Sequence, residues 1–453
     1  MDKRQVIIIG GGPAGLAAAA ALHKAGITDI LILERERRLG GILNQCIHDG
    51  FGLIRYGSML TGPEYAHRAE QEAAETGAEV LTGAMVTGLT ADRMVTAVTR
   101  QGLLQAKAGA VVLATGCRER TRGAVAIPGT RPAGIYTAGA AQNLMNAKNL
   151  MVGKQVVILG SGDIGLIMAR RLTLEGATVL AVIEARNQPS GLERNVSQCL
   201  FDFGIPLYLG HTITDIQGRK RLEAVTMSRL DENNRPIPGT ETFIPCDTLL
   251  LSVGLIPENE IAAQAGAQLD PVTNGTITDA YLQTSVPGIF ACGNSRKVLD
   301  LADFVSLQGF RAGRNAAAFG MGLPLEPMPK ESSNAMAKGL PKPGAITCIQ
   351  CPKGCRVTVS PDGTTKGNTC PKGEEYALQE QKAPKRVLTT TLLSPDGLLM
   401  PVKTSAPIPK DQVMVWAEKL RTIPAPAGPI RPGQILLRDP FGMKVDILAT
   451  GKH

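Results

Sequence analysis

Two stretches carry the same pattern, and together they fix most of what this chain can fold into. In the first, residues 5–35 read QVIIIGGGPAGLAAAAALHKAGITDILILER. The apolar run 6–9 stops at Gly10, and glycines follow as Gly10, Gly12 and Gly15, a G-x-G-x-x-G spacing. The Ala- and Leu-rich stretch 16–22 predicts a helix, because these residues cost least there. A second apolar run, 30–33, closes on Glu34. Strand, tight turn, helix, strand and acid are the parts of a dinucleotide-binding unit. Gly10 makes the turn, Gly12 lets the backbone approach a pyrophosphate, and Gly15 lets helix and strand pack closely. The helix N-terminus faces the phosphate charge, and Glu34 accepts from the ribose hydroxyls of an adenosine. A basic start before an apolar run also suits a signal peptide, but three glycines and Pro13 interrupt the run too early.

The second stretch, 154–184, reads KQVVILGSGDIGLIMARRLTLEGATVLAVIE. Its glycines are Gly160, Gly162 and Gly165, its acid is Glu184, and its motif starts 150 residues after the first. This is one duplicated unit and not a solenoid period. Glu184 favours NADH over NADPH, since a 2′-phosphate would meet a carboxylate. Arg186, two residues on, works against that selectivity. Around the two units the pattern predicts a helix over 62–76, short strands at 80–81 and 94–99, and buried strands at 110–114 and 248–253. A further helix is predicted over 304–319. The 110–114 strand ends in Thr115-Gly116, and residues 284–294 read TSVPGIFACGN.

At this point a resemblance is specific. Residues 1–330 resemble the flavoprotein superfamily with two dinucleotide-binding domains, which includes thioredoxin reductase and the pyridine-nucleotide disulfide reductases. The resemblance implies FAD at Gly10, Gly12, Gly15 and Glu34, with Gly41 of the Gly40-Gly41 pair beside them. It implies a chain return at Thr115 and Gly116, and NAD(H) or NADP(H) at Gly160, Gly162, Gly165 and Glu184. The 284–294 stretch would contact the flavin pyrophosphate and ribityl chain through Gly293 and Asn294. The family usually ends that motif in Gly-Asp, so here the negative charge is gone while an amide oxygen remains to accept. Only about 35 residues separate Asn294 from Lys330, too few for a long dimerisation domain. The expected fold is therefore α/β: two Rossmann-like FAD and NAD(P) domains in the thioredoxin-reductase-like arrangement, plus a small β-rich cysteine-containing C-terminal domain. The expected division is 1–122 and 256–322 for the FAD domain, 123–255 for the NAD(P) domain, 323–345 for a Pro-rich linker and 346–453 for the C-terminal module.

Disulfide reductases need a pair of cysteines at the flavin. Cys46 stands alone in LNQCIHDGFG (43–52), and 123–255 holds only Cys199 and Cys246, far apart. Dithiol exchange is therefore not expected. Cys46 is either a single redox thiol, as in some NADH oxidases, or a small packing residue. His48 either approaches the flavin or faces solvent. With LTGPEYAHR (60–68), the same segment resembles flavoprotein subunits that accompany anaerobic glycerol-3-phosphate dehydrogenases and opine or amino-acid dehydrogenases. That resemblance implies electron transfer beside a partner dehydrogenase flavoprotein subunit, an oligomeric assembly, and room for peripheral membrane association through a partner.

The last third differs in character. From Lys330 onward there are 18 Lys/Arg and 10 Asp/Glu, whereas 1–329 balances at 30 each, so the net +8 of the chain sits here. With no basic run and little aromatic interleaving, nucleic acid is not expected. A solvated face or a docking face for an acidic partner is. Residues Ser333, Asn334, Ala335 and Met336 look like the scar of a cleaved affinity tag before a start methionine, or fell together by chance. Four of the nine cysteines follow: Cys348, Cys351, Cys355 and Cys370. That clustering argues for metal ligation in a reducing cytoplasm rather than a disulfide framework. No apolar run is long enough to span a bilayer. The spacing C-x2-C-x3-C, then fourteen residues, then C-P-K-G resembles the cluster-binding domain of molybdopterin oxidoreductases and implies a [4Fe–4S] cluster. The gap before the last cysteine is shorter than in that family. A structural zinc is the alternative, although zinc sites more often pair two C-x2-C knuckles. The rest of the tail reads as short strands with one helix over 410–420, and resembles an uncharacterised domain family found beside these flavoproteins.

The expectation is an FAD-dependent NAD(P)H oxidoreductase that passes electrons between a nicotinamide and an Fe–S centre within a larger dehydrogenase complex. The alternatives are an NADH oxidase or single-thiol reductase using Cys46, and a non-catalytic zinc-stabilised docking subunit.

Overall fold

The structure is a computed structural model that describes residues 2–329 and 336–452. Ser333, Asn334 and Ala335 of the suspected scar lie outside the described residues. The chain forms two compact units, one of 1–118 with 255–332 and the other of 119–254 with 333–453.

The first unit is built on a seven-stranded sheet. Strand Asp2–Ile9 lies at its centre, parallel to Ile30–Glu34 on one side and to Gly102–Leu113 on the other. Glu79–Thr82 extends the first side. On its other edge the long strand Gly102–Leu113 serves two further partners: its start pairs antiparallel with Met94–Thr99, and its end pairs parallel with Ile289–Ala291. The central strands are buried on both faces, which is why they read as continuous Val/Ile/Leu runs without alternation. Helix Pro13–Lys24 and the long helix Ala302–Gly320 lie in direct backbone contact. A Cβ on Gly309 would come within 2.1 Å of the Ala14 carbonyl oxygen, and one on Gly313 within 2.4 Å of that of Ala18. The helix predicted over 62–76 is Gly62–Ala74. It is closed at its start by a capping box in which Thr61 and Glu64 bond each other's backbone amides.

The second unit repeats the plan. Its five-stranded parallel sheet runs Ile135–Thr137, Thr248–Leu251, Gln155–Leu159, Thr178–Glu184, Leu207–Leu209. A three-stranded antiparallel sheet, His211–Gly218, Leu222–Arg229 and Thr242–Pro245, follows; no such sheet is expected from the sequence pattern.

The tail belongs to this unit and shares its core. Leu174, at the end of the helix after the second glycine turn, packs in one cluster with Trp416, Leu392, Val402 and Ile447. Buried polar contacts reinforce the join. Arg386 bonds Asp202 at 2.6 and 3.1 Å and Glu380 at 2.5 and 2.6 Å, and Lys410 reaches Asp202 at 2.6 Å. Arg171 donates to Asn146, Thr390 and Thr391. Part of the tail's excess positive charge therefore answers acids of its own chain. Within the tail, Thr389–Leu393, Leu399–Thr404, Ile447–Ala449 and Ile435–Leu437 form a four-stranded sheet. It carries two helices where one was expected. Val413–Leu420 lies inside the predicted span, while Pro371–Lys382 starts at Cys370 and was not foreseen. Among the described residues, no helix is long and apolar enough to cross a membrane.

Candidate functional site

In the first unit the central strand and its neighbour Gly102–Leu113 end side by side, which is where an open α/β sheet leaves a crevice for ligands. Gly10 closes the central strand with φ +109°, and a Cβ there would sit 2.3 Å from the Ala114 carbonyl oxygen. Two residues on, the crowding stops. A Cβ on Gly12 would meet nothing within 4 Å, and the backbone there, φ −79° and ψ −171°, suits any residue. The open space in front of Gly12 is a cradle that the protein leaves unfilled. Gly41 closes over it, since a Cβ on Gly41 would lie 3.2 Å from the Gly12 Cα. Gly15 packs onto Gly10, as its spacing predicts.

Glu34 is buried at the end of its strand. Its carboxylate accepts from the Gly11 amide at 2.7 Å and the Glu36 amide at 2.8 Å. A carboxylate has about four acceptor sites, so capacity remains for hydroxyl donors. Gly11, unremarked in the sequence pattern beyond its place in a glycine run, thus orients the acid. Thr115 donates to the Glu258 carbonyl at 2.7 Å, and the Gly116 carbonyl accepts from the Glu258 amide at 3.0 Å. The Gly293 amide is held by Gln308 at 2.9 Å. Asn294 accepts from the Leu299 amide at 3.0 Å through its amide oxygen, and its amide nitrogen lies 3.5 Å from the Cys117 sulfur. Neither Gln308 nor Cys117 has a sequence signal, because each acts from an element distant in the chain. These residues fit the adenosine, pyrophosphate and ribityl portions of a flavin dinucleotide.

Cys46 is buried, and burial pushes its thiol up to about 12. A nucleophilic or redox-active thiol is shifted the other way. His48 is half-buried, with its ring tilted 5.0 Å from that of Phe51. Cys199 and Cys246 fall in different core clusters of the second unit, and each thiol is pushed up to about 12 by burial. None of the nine cysteines, all among the described residues, forms a disulfide.

The second glycine turn copies the first in outline and differs from it in its neighbours. The residue whose carbonyl crowds Gly160 is Ser252, where the first turn has Ala114. The Ser252 hydroxyl accepts from the Gly165 amide at 3.1 Å and would lie 3.0 Å from a Cβ on Gly162. Glu184 is more heavily engaged than Glu34. It accepts from the Ser161 amide and hydroxyl at 3.1 and 2.5 Å, the Ser190 hydroxyl at 3.1 Å and the Arg186 amide at 3.1 Å. The Arg186 side chain itself is exposed.

The four tail cysteines lie in one region. Strands Ile346–Thr347 and Arg356–Val359 pair antiparallel, with the Cys348 amide donating to the Cys355 carbonyl at 2.8 Å. Cys370 begins helix Pro371–Lys382, and a Cβ on Gly373 would lie 3.9 Å from the Cys348 sulfur. Burial pushes the Cys348 thiol up to about 11. The thiols of Cys351, Cys355 and Cys370 add to that shift, against a backbone hydrogen bond at Gln350. Four soft donors within electrostatic reach of one another fit a thiolate-bound centre in their chemistry. Among the described residues, however, no three His, Cys, Asp or Glu side chains already converge on a metal position.

Comparison with known proteins bears on both parts. The model of the pyridine nucleotide-disulphide oxidoreductase family matches residues 4–309. A domain family described as being of unknown function (DUF1667) matches 371–451, beginning just after Cys370. Hydrogen cyanide synthase subunit HcnB of Pseudomonas protegens is 26% identical over 314 residues, covering 64% of this chain and 65% of that protein. An opine oxidase subunit from Agrobacterium tumefaciens is 25% identical, with 65% and 61% covered. The chain thus spans somewhat less than two thirds of the length of these two relatives. Thioredoxin reductase of Listeria monocytogenes is 26% identical, with 69% of this chain and 93% of that protein covered. The crystal structure of Lactococcus lactis thioredoxin reductase superposes with a TM-score of 0.58 at 22% identity, over 71% of this chain and 100% of that one, a likeness of fold.

Proposed function

The chain belongs to the pyridine nucleotide-disulphide oxidoreductase family and is an FAD-dependent oxidoreductase, and from that premise we propose that it exchanges hydride with NADH and passes electrons to or from a [4Fe–4S] centre held by Cys348, Cys351, Cys355 and Cys370. It does so as one component of a larger dehydrogenase complex, an anaerobic glycerol-3-phosphate dehydrogenase being the kind its sequence resembles. The observation that carries this reading is that the cysteine loop lies in the unit bearing the second glycine turn and is tied to it by Glu193, whose carboxylate bonds Thr347 and Arg356 on either side of the loop. Two relatives whose names make them subunits, of hydrogen cyanide synthase and of opine oxidase, support the partner.

FAD, when bound, supplies the hydride chemistry. The chain supplies position. The space at Gly12 takes the pyrophosphate, the free acceptor sites of Glu34 take ribose hydroxyls, and Gly293 and Asn294 take the remainder of the dinucleotide. At the second turn Gly160, Gly162 and Gly165 take the nicotinamide nucleotide. Its ribose there replaces the Ser190 hydroxyl at Glu184, and the same carboxylate repels a 2′-phosphate. Burial pushes the Cys46 thiol up to about 12, which favours the packing role over the single-thiol reading. Cys348, Cys351, Cys355 and Cys370 would hold the centre as thiolates, since metal binding to thiols releases their protons.

Metal analysis separates the two centres. Full-length protein purified without oxygen should carry about four irons per chain with acid-labile sulfide, as a cubane requires. A single zinc without sulfide would replace the electron relay by a structural site.

A further inference from the structure

Glu193 is fully buried, and its carboxylate bonds both ends of the cysteine loop. It accepts from the Thr347 hydroxyl at 2.8 Å and from the Arg356 guanidinium at 2.5 and 2.7 Å. Thr347 is the residue before Cys348, and Arg356 is the residue after Cys355. The two are cross-strand partners, so one carboxylate staples the loop shut at its base. The Glu193 amide also donates to the Ala337 carbonyl at 2.9 Å, and the Ala337 amide donates to Lys353 inside the loop at 3.0 Å.

The same short segment, 190–195, is tied on its other side to the second glycine turn. The Gly191 amide donates to the Ser161 carbonyl at 2.9 Å and the Ser190 amide to the Ser161 hydroxyl at 3.0 Å. The Leu192 amide and the Asn195 side chain both donate to Asp163 at 2.8 Å. Ser190 also bonds Glu184, the acid that would face the nucleotide ribose. Every step from Glu184 to Cys348 is therefore a hydrogen bond or an adjacent residue, inside one compact unit.

We propose that Glu193 is a positioning residue that couples the cysteine loop to the nicotinamide turn. A nucleotide at Gly160–Gly162 displaces Ser190 from Glu184, shifts segment 190–195, and through Glu193 changes how tightly the loop is closed. This rests on the reading of the second turn as the nicotinamide site, but not on which metal, if any, the thiols hold. Coupling of this kind is reciprocal: a ligand whose binding to the loop is changed by the nucleotide changes nucleotide affinity by the same factor.

The test uses the full chain with flavin bound. NAD⁺ affinity is measured by equilibrium titration, and deuterium labelling of the backbone amides of residues 346–357 is timed by mass spectrometry with and without saturating NAD⁺. In the native protein NAD⁺ should change the labelling rate about fivefold or more, the usual floor for site-to-site coupling. In Glu193→Gln that change should vanish while NAD⁺ still binds. Thr347→Val removes one of the two clamps with little change of shape, and should show a reduced effect if Glu193→Gln does not fold. Labelling that ignores bound NAD⁺ in the native protein, or a full NAD⁺ effect in Glu193→Gln, overturns the coupling. Failure of NAD⁺ to bind the native protein overturns the reading of the turn itself, and the coupling with it.

Discussion

Gly12→Val should fold with native secondary structure and purify without colour. The substitution costs the polypeptide almost nothing by itself. The backbone at Gly12 is in an ordinary extended conformation, and a Cβ there meets no atom of the protein within 4 Å. In the proposed flavin site that space takes the pyrophosphate, whose close approach to the backbone a glycine permits. A valine puts two methyl groups in that space, so flavin content should fall from about one per chain to none. The matched control is Gly162→Val. Its side chain would crowd the Ser252 hydroxyl in the second turn and leave the flavin cradle alone. It should purify yellow but fail to respond to NADH. Flavin absorbance after extraction, with circular dichroism as the folding check, decides both. Yellow Gly12→Val would remove the first turn from the flavin site.

Asp202→Asn loosens the tail from the second unit. The side chains of Asp202 and Arg386 are 7% and 6% exposed. Burial alone would raise the Asp202 carboxyl, but Arg386 and then Lys410 hold it below its ordinary value. Removing one partner leaves buried cationic charge less well answered, and breaking a buried pair costs about 3 kcal/mol or more. The chain has one tryptophan, Trp416. It is buried in the tail core edge-on to Phe441 with ring centroids 4.6 Å apart, so its fluorescence reports this region alone. The Trp416 transition in urea should move to lower denaturant in Asp202→Asn while flavin content is unchanged. The pH dependence follows from the direction of the shift. A carboxyl with a lowered folded value contributes stability above its unfolded value and loses it as the pH falls through the folded one. The native transition should therefore hold from neutral pH down to the ordinary carboxylate range and weaken only below it. Asp202→Asn should lack that acid-side loss. An unchanged Trp416 transition would mean the apolar cluster around Leu174 holds the tail unaided.

Both dinucleotide units were legible because their physics is local. Strand, turn and helix lie within about thirty residues, glycine marks each close approach, and doubly buried parallel strands read as unbroken apolar runs. The tail shows where that stops. Helix Pro371–Lys382 is polar along most of its length and buries little beyond Gly373, Tyr376 and Ala377, so it has almost no apolar stripe to read. Its first residues also carry the C-P-K-G motif, which drew attention to chemistry instead of conformation. The tail's basic excess suggested an external acidic partner, yet Arg386 and Arg356 find Asp202 and Glu193 more than 150 positions away in the same chain. Pairing at that separation leaves no trace in periodicity or spacing. The contrast between Glu34, with two protein donors, and Glu184, with four, is likewise invisible in two identical-looking strand ends.

FAD in this chain should exchange hydride with a nicotinamide held at the second turn, with selectivity for NADH. Anaerobic titration of the purified yellow protein tests it most directly, following flavin absorption as NADH or NADPH is added. An equimolar amount of NADH should bleach the flavin, and NADPH should need a much higher concentration because its 2′-phosphate meets Glu184. Flavin that keeps its colour with both nucleotides would contradict the account, and bleaching by NADPH at lower concentration than NADH would assign the turn to Arg186 instead of Glu184.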